Sequence, residues 1–371
     1  MRFIIPLIFW LVGLFLLWRV KTPLSREDLS VSAAQNILRV SVIIPARNEA
    51  KKIGRLLESL KAQSVAPLEV IVVDDESSDN TALIAQACGV QVIKSKKIPA
   101  GWLGKPWACW QGARAAGGDA LLFLDADTWL ARNGLENIVR KFREKGGFLS
   151  VQPYHVTEKL YEQLSAFFNI VVMAGFNAFT ILGEKIKPTG GFGPCAICLR
   201  DDYFALGGHA AVKDSVIENS VLGGIFLSQG HPVSCYGGKS TISFRMYPDG
   251  LKDLFWGWSK SFAAGSASVS KITFLLIILW VTGCFEAFIL PAKAILAGKN
   301  YKELCLLSII YLLFAGQLMW MLRQIGKFQK WTALLYPLPL IFFVFVMFWS
   351  VLQKTIFRKT KWKDRVVEFK S

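Results

Sequence analysis

A chain of 371 residues, 53% of them hydrophobic, with a formal net charge of +16 and a mean hydropathy of +0.39, is more apolar than soluble globular proteins and implies contact with lipid. The length accommodates one sizeable catalytic domain with membrane helices and excludes a single small module. Basic residues gather beside the apolar runs, which suits anionic headgroups rather than a nucleic-acid face, so no nucleic-acid partner is expected.

Residues 1–22 predict a membrane anchor. Phe3 to Trp18 carries no charged side chain and is closed by Arg19 and Lys21, with Arg26 beyond. No small-residue cleavage site follows, which sets a retained anchor above a signal peptide. Residues 38–265 then alternate strand and helix patterns. Arg39 to Ile44 is a β-branched run of the kind buried on both faces of a parallel sheet. Ile53, Leu56, Leu57 and Leu60 recur on one helix face, with Asn48 as a candidate cap. Leu68 to Val73 predicts a second strand ending at Asp74-Asp75, Asn80 to Cys88 a helix closed by Gly89, and Val90 to Ile93 a third strand. Pro106 and Gly117-Gly118 bracket a further helix. Ala120 to Leu124 reads as a strand running into Asp125-Ala126-Asp127, followed by a helix over Asn133 to Lys145 and a strand over Phe148 to Gln152. The pattern predicts a doubly wound α/β sheet with its ligand beyond the carboxyl ends of the strands, where Pro45 to Glu49, Asp74-Asp75 and Asp125 to Asp127 fall.

Phe167 to Leu182 is uncharged and apolar; it reads either as a segment dipping into the membrane surface or as a buried core helix. Within residues 266–353, Ile272 to Leu296, Leu304 to Leu322 and Trp331 to Leu352 each approach the ~20 residues that span a bilayer, predicting about three segments before a basic tail over residues 354–371. Glu286 is the only acid of the first block, and an acid at that depth is paired or functional. Arg323, Lys327 and Lys330 flank the blocks, and the positive-inside rule then predicts a multi-pass protein of the cell membrane with a cytoplasmic catalytic domain. The tail (Lys354, Arg358, Lys359, Lys361, Lys363, Arg365) is also basic, which leaves room for one re-entrant or interfacial block. Seven scattered cysteines, with Cys195 and Cys198 as a lone C-x-x-C, predict reduced structural thiols rather than a zinc site.

Two aspartates one residue apart at a strand end point the same way. Hard cations such as Mg²⁺ or Mn²⁺ take carboxylate oxygens together with substrate phosphates. Alone, Asp125-Ala126-Asp127 is as consistent with a solvated turn; the second acid pair after another buried strand favours the metal reading.

Ser41-Val42-Ile43-Ile44-Pro45-Ala46-Arg47-Asn48-Glu49, Val72 to Asp79 (VVDDESSD) and Leu124-Asp125-Ala126-Asp127 resemble the three N-terminal signatures of inverting, family 2 glycosyltransferases with the GT-A fold. Gly101 to Ala108 (GWLGKPWA), Arg245-Met246-Tyr247 and Gly257 to Ser261 (GWSKS) are similar to membrane-bound carotenoid glycosyltransferases of the 4,4'-diaponeurosporenoate type, and more loosely to hopanoid and ceramide glycosyltransferases. The resemblance implies a UDP-sugar donor contacted by Pro45, Arg47, Glu49 and Asp75. It also implies metal held by Asp127, Asp125 near ribose and diphosphate, and Lys105 facing the phosphates. His209, Arg245, Trp258 and Lys260 fall on the acceptor or gating side, with Trp258 equally readable as an interface anchor.

Two departures from the family matter. Its acceptor-side Glu-Asp pair, whose aspartate serves as general base, is here Glu218-Asn219. Asparagine takes no proton, so the base role passes to Glu218, more weakly to Asp214, or to no residue if the acceptor is a carboxylate already ionised near neutral pH. A carotenoid acid would be such an acceptor. The Q-x-x-R-W motif of processive synthases is also absent, which predicts transfer of a single hexose, glucose being the expected one. The open alternatives are another lipid acceptor (hopanoid, sphingoid, diacylglycerol or polyprenyl phosphate) and a catalytically degenerate membrane protein that binds a nucleotide sugar.

Overall fold

The computed structural model describes residues 3–24, 38–265, 269–353, 359–362 and 365–368; Arg26, Lys354, Arg358 and Lys363 lie outside them. Two compact units share the chain, one made of Lys21–His155 and Lys187–Arg245, the other of Met1–Val20, Val156–Ile186 and Met246–Ser371.

The chain opens with helix α1 (Ile4–Leu16) of the second unit and then enters the first. There β1 (Val40–Ala46), α2 (Ile53–Lys61), β2 (Glu69–Asp74), α3 (Thr81–Ala87), β3 (Gln91–Lys94), α4 (Gly104–Ala115) and β4 (Ala120–Leu124) alternate as their sequence predicts. They are followed by β5 (Thr128–Leu130), α5 (Gly134–Lys145), β6 (Phe148–Gln152) and β7 (Tyr154–Val156). After α6 (Ala166–Gly175), which belongs to the other unit, come β8 (Cys195–Leu199), α7 (Arg200–Ala205), α8 (Glu218–Ser228), β9 (Val233–Gly237) and β10 (Ile242–Phe244).

Period-two alternation explains the layers. Val42, Ile44, Val72 and Leu122 pack with Leu56 and Leu57 of α2 on one face of the sheet. Ile43, Ile71, Val73 and Phe123 pack with Ala108 and Cys109 of α4 on the other. Each such buried aliphatic contributes about 1.5–3 kcal/mol. A Cβ on Gly112 would meet Ile43 Cγ2 at 2.6 Å, so α4 lies against β1 at a distance only glycine permits.

The sheet runs β3-β2-β1-β4-β8-β6-β9. It is mixed, a detail the strand–helix alternation of a doubly wound α/β sheet does not reveal: β8 is antiparallel to both β4 and β6, while β1 is parallel to β2 and β4. Cys195 and Cys198, which stood out as a thiol motif, are side chains of this buried strand, and burial pushes both thiols up from their ordinary range. Asn48 does not cap α2. It takes a positive φ of 52°, and its Oδ1 accepts from the Ser78 amide at 2.8 Å, tying the loop after β1 to the loop after β2.

In the second unit, α6 is buried along nine of its ten residues. Its Phe168 stacks on Trp258 at 4.8 Å and meets Phe343 edge-on, so this helix is spent on internal packing, while Ile181 and Leu182 at the end of the apolar stretch are exposed. Beyond α9 (Leu251–Gly265), α10 (Lys271–Leu296) and α11 (Tyr301–Ile325) are long and apolar enough to cross a bilayer. Glu286 sits half-buried on α10.

The other two expected segments come out shorter. Helix α1 has 13 residues, about 20 Å against a hydrocarbon core of about 30 Å. The block over Trp331 to Leu352 is broken into α12 (Lys330–Leu334) and α13 (Pro337–Leu352), because Pro337 lacks the N–H that a continuous helix needs and restricts the residue before it. All four apolar helices leave a stripe uncovered: Ile4, Ile8 and Leu11; Ile272, Leu275 and Ile278; Leu306, Ile309 and Leu312; Leu338, Ile341, Phe345 and Phe348.

Candidate active site

Three parallel strands deliver their carboxyl ends to one edge of the α/β unit. The amide of Asp75 donates to Ala46 O at 2.8 Å, fixing the end of β2 to the end of β1. Arg47 Nη1 donates to Asp75 O at 2.7 Å and lies 3.6 Å from Glu76, which holds its guanidinium against the backbone at the end of β2. The Glu49 amide donates to Thr81 Oγ1. Pro45 lies in β1, where it pairs in register with Val73.

At the end of β4, Lys105 Nζ sits 2.6 Å from Asp125 Oδ1 and 2.7 Å from Glu218 Oε1. Glu218 is the first residue of α8 and only 2% exposed. Burial pushes its carboxyl up from the ordinary value, while Lys105 opposes the shift. The lysine itself is held charged well above its ordinary range: burial opposes this, and Asp125 and Glu218 outweigh burial. The ion pair therefore commits Glu218 to balancing Lys105, a role its sequence context gave no sign of.

Asp127 behaves differently. Burial pushes its carboxyl up to about 6, Lys52 lowers it, and Asp125 and Glu49 add to the rise. Lys52 Nζ stands 3.9 Å from Asp127 and 3.5 Å from Glu49. Lys52 was not singled out in the sequence; its three-residue spacing from Glu49 was the available signal. An under-compensated carboxylate beside a second carboxylate, with oxygen donors only, fits a hard divalent cation that completes its shell with water and phosphate. Among the described residues no three His, Cys, Asp or Glu side chains converge as a protein-only cage.

Asn219 follows Glu218 in the first turn of α8, and its Nδ2 donates to Gly193 O at 2.7 Å. The next carbonyl, Pro194 O, accepts from the Asp125 amide at 2.9 Å. His209 is fully buried; its Nδ1 is 2.9 Å from the Tyr203 hydroxyl, and burial lowers its pKa to about 3, so the ring is neutral. Asp214 is exposed on the loop before α8, and Arg245 follows β10, half-buried. Trp258 and Lys260 belong to the other unit. There the Trp258 indole is buried and donates to Ser165 Oγ at 3.0 Å, which is not the setting of an exposed interface anchor, and Lys260 is half-buried.

Residues 41–204 match the model of the glycosyl transferase family 2. The 4,4'-diaponeurosporenoate glycosyltransferases of Staphylococcus aureus strains USA300 and MRSA252 are 34% identical over 332 residues, covering 88% of this chain and 87% of theirs. Among solved structures, the mannosyltransferase PcManGT of Pyrobaculum calidifontis, in complex with GDP-Man and Mn²⁺, aligns with a TM-score of 0.53 at 19% identity over 94% of this chain and 96% of its own. That likeness is one of fold, the mixed-sheet GT-A architecture. With its strand-end carboxylates, its mixed sheet and its near full-length relatives, the chain belongs to the family 2 glycosyltransferases and is a glycosyltransferase related to the diaponeurosporenoate enzymes.

Proposed function

We propose that this glycosyltransferase moves one hexose, glucose as the expected one, from a UDP-sugar to the carboxylate of an apolar lipid acid such as a carotenoid acid, with inversion at the anomeric carbon. The observation that carries the reading is the corner formed by Asp125, Lys105 and Glu218, with the neutral Asn219 where the family places its base.

A carboxylate oxygen of the acceptor attacks the anomeric carbon as the bond to the diphosphate oxygen breaks, and UDP leaves with the electron pair. No proton has to be removed from an ionised acceptor, so no base is required. Arg47 and Asp75 lie where a nucleotide would meet the ends of β1 and β2. Lys105 is the cation available to the departing diphosphate, a charge-stabilising role. Asp127, with Asp125, would hold Mg²⁺ or Mn²⁺, which when bound supplies further neutralisation of the diphosphate. The product is an ester, because the nucleophile is a carboxylate.

The apolar acceptor agrees with the uncovered stripes of α1, α10, α11 and α13, and the basic residues Arg19, Lys21, Arg323, Lys327 and Lys330 agree with a cytoplasmic catalytic unit on a multi-pass protein. The test is donor turnover by the purified protein. With Mn²⁺ and UDP-glucose it should release UDP slowly without acceptor and rapidly with a polyene acid, and Asp127→Ala should lower both rates by about 10²-fold or more. Mass spectrometry of lipids from a deletion strain should lack a glycosylated carotenoid. Unchanged carotenoids with altered hopanoids or glycerolipids would overturn the acceptor assignment.

A further inference from the structure

The loop before β8 is clamped from several directions. The Phe192 amide donates to Ser150 Oγ at 2.9 Å, and Cys235 Sγ donates to Gly190 O at 3.2 Å. Helix α8 presses on the same loop through Gly223, where a Cβ would stand 2.7 Å from Gly191 N. Asn219 Nδ2 then donates to Gly193 O, and Pro194 O receives the Asp125 amide. The position facing Gly193 O thus requires a donor. An ionised aspartate there would set two acceptor oxygens against each other at this separation. The amide's own oxygen, Asn219 Oδ1, is buried and has no hydrogen-bond partner among the described residues, so the second oxygen of a carboxylate would find no donor on that side either.

Charge makes the same point. Lys105 is shared by two carboxylates, Asp125 and Glu218, so the corner already carries one negative charge in excess. An aspartate beside Glu218 would add another where the acceptor arrives, and like charges in a desolvated site repel strongly. We propose that Asn219 is a specificity-determining residue: its amide latches Gly193 while keeping the acceptor corner free of a second uncompensated charge, so that an anionic carboxylate acceptor is admitted. This rests on the carboxylate acceptor of the preceding section.

The experiment compares a polyene acid with the alcohol of the same chain, in detergent, for the wild type, Asn219→Asp and Asn219→Ala, with acceptor-free UDP release as the readout of a folded donor site. A protonated aspartic acid would preserve the hydrogen bond, so the rates are compared at pH 9. The wild type should favour the acid. Asn219→Ala, which loses the latch but adds no charge, should be slower on both acceptors and keep that preference. Asn219→Asp should lower the acid-to-alcohol ratio of kcat/KM by about tenfold or more. Glu218→Gln, which removes a charge from the same corner, should move the ratio the other way and provides a second arm should Asn219→Asp not fold. An unchanged ratio in Asn219→Asp, equal collapse in Asn219→Ala, or a shift of Glu218→Gln toward the alcohol overturns the proposal. A wild type that favours the alcohol overturns the carboxylate acceptor itself, and is seen before any variant is made.

Discussion

Burial holds the Asp127 carboxyl at about 6, and a cation takes the ionised form. Mn²⁺ affinity measured by calorimetry should therefore be level above pH about 7 and weaken by about tenfold per pH unit below about 6. Stability carries the opposite sign. The folded value of about 6 lies above the ordinary value of 3.8, so the folded state keeps a proton that the unfolded chain releases. This group's contribution therefore declines as pH rises from about 4 to about 6, and a bound cation offsets that decline. Glu218 invites a second prediction. Asp125 still faces Lys105 in Glu218→Gln, so transfer to a carboxylate acceptor should stay within about tenfold of the wild type, whereas loss of a general base costs about 10²–10⁴-fold. A near-total loss in acceptor-saturated kinetics would make Glu218 the base.

Element α8 shows how closely backbone packing controls the site. Gly223 and Gly224 are neighbours, yet a Cβ on the first would stand 2.7 Å from Gly191 N, while on the second the nearest atom is Thr189 O at 3.7 Å. Gly223→Ala should destabilise the protein by about 1–3 kcal/mol. Gly224→Ala should leave the thermal midpoint unchanged or raise it, since alanine gains about 0.5–1 kcal/mol over glycine within a helix. Paired thermal melts check both. Apart from the three-residue β5, the strands and helices up to β6 were legible because buried parallel strands and amphipathic helices have strong periodicities, and the acids at the ends of β2 and β4 followed from them. Strand β8 was not, since Cys195-Ala-Ile-Cys-Leu offers little more than five apolar residues and two thiols. Neither was the Lys105–Glu218 pair: no local pattern records which distant side chains the sheet brings together. The Asn219 latch on Gly193 was equally invisible, although the residue itself was conspicuous as a departure from the family.

On the scale of the whole molecule, α10 and α11 hold 26 and 25 residues, about 38 Å each and longer than the hydrocarbon core. The protein should stay with membranes through high salt and alkaline carbonate and leave only with detergent; release by salt alone would reduce the attachment to surface electrostatics. The reversal of β8 has a consequence of its own. Because this strand runs against β4, Cys195 at its start pairs with Leu124 at the end of β4, and the segment leading into it, rather than the one leaving it, forms a wall of the site. A parallel strand in the same slot would have offered its exit loop instead. Residues 187–194 lie outside every ladder of the sheet, yet the hydrogen bonds on Gly190, Phe192, Gly193 and Pro194 fix their backbone, so the exposed start of the segment at Lys187 is the place to graft a different acceptor preference onto an unchanged donor half.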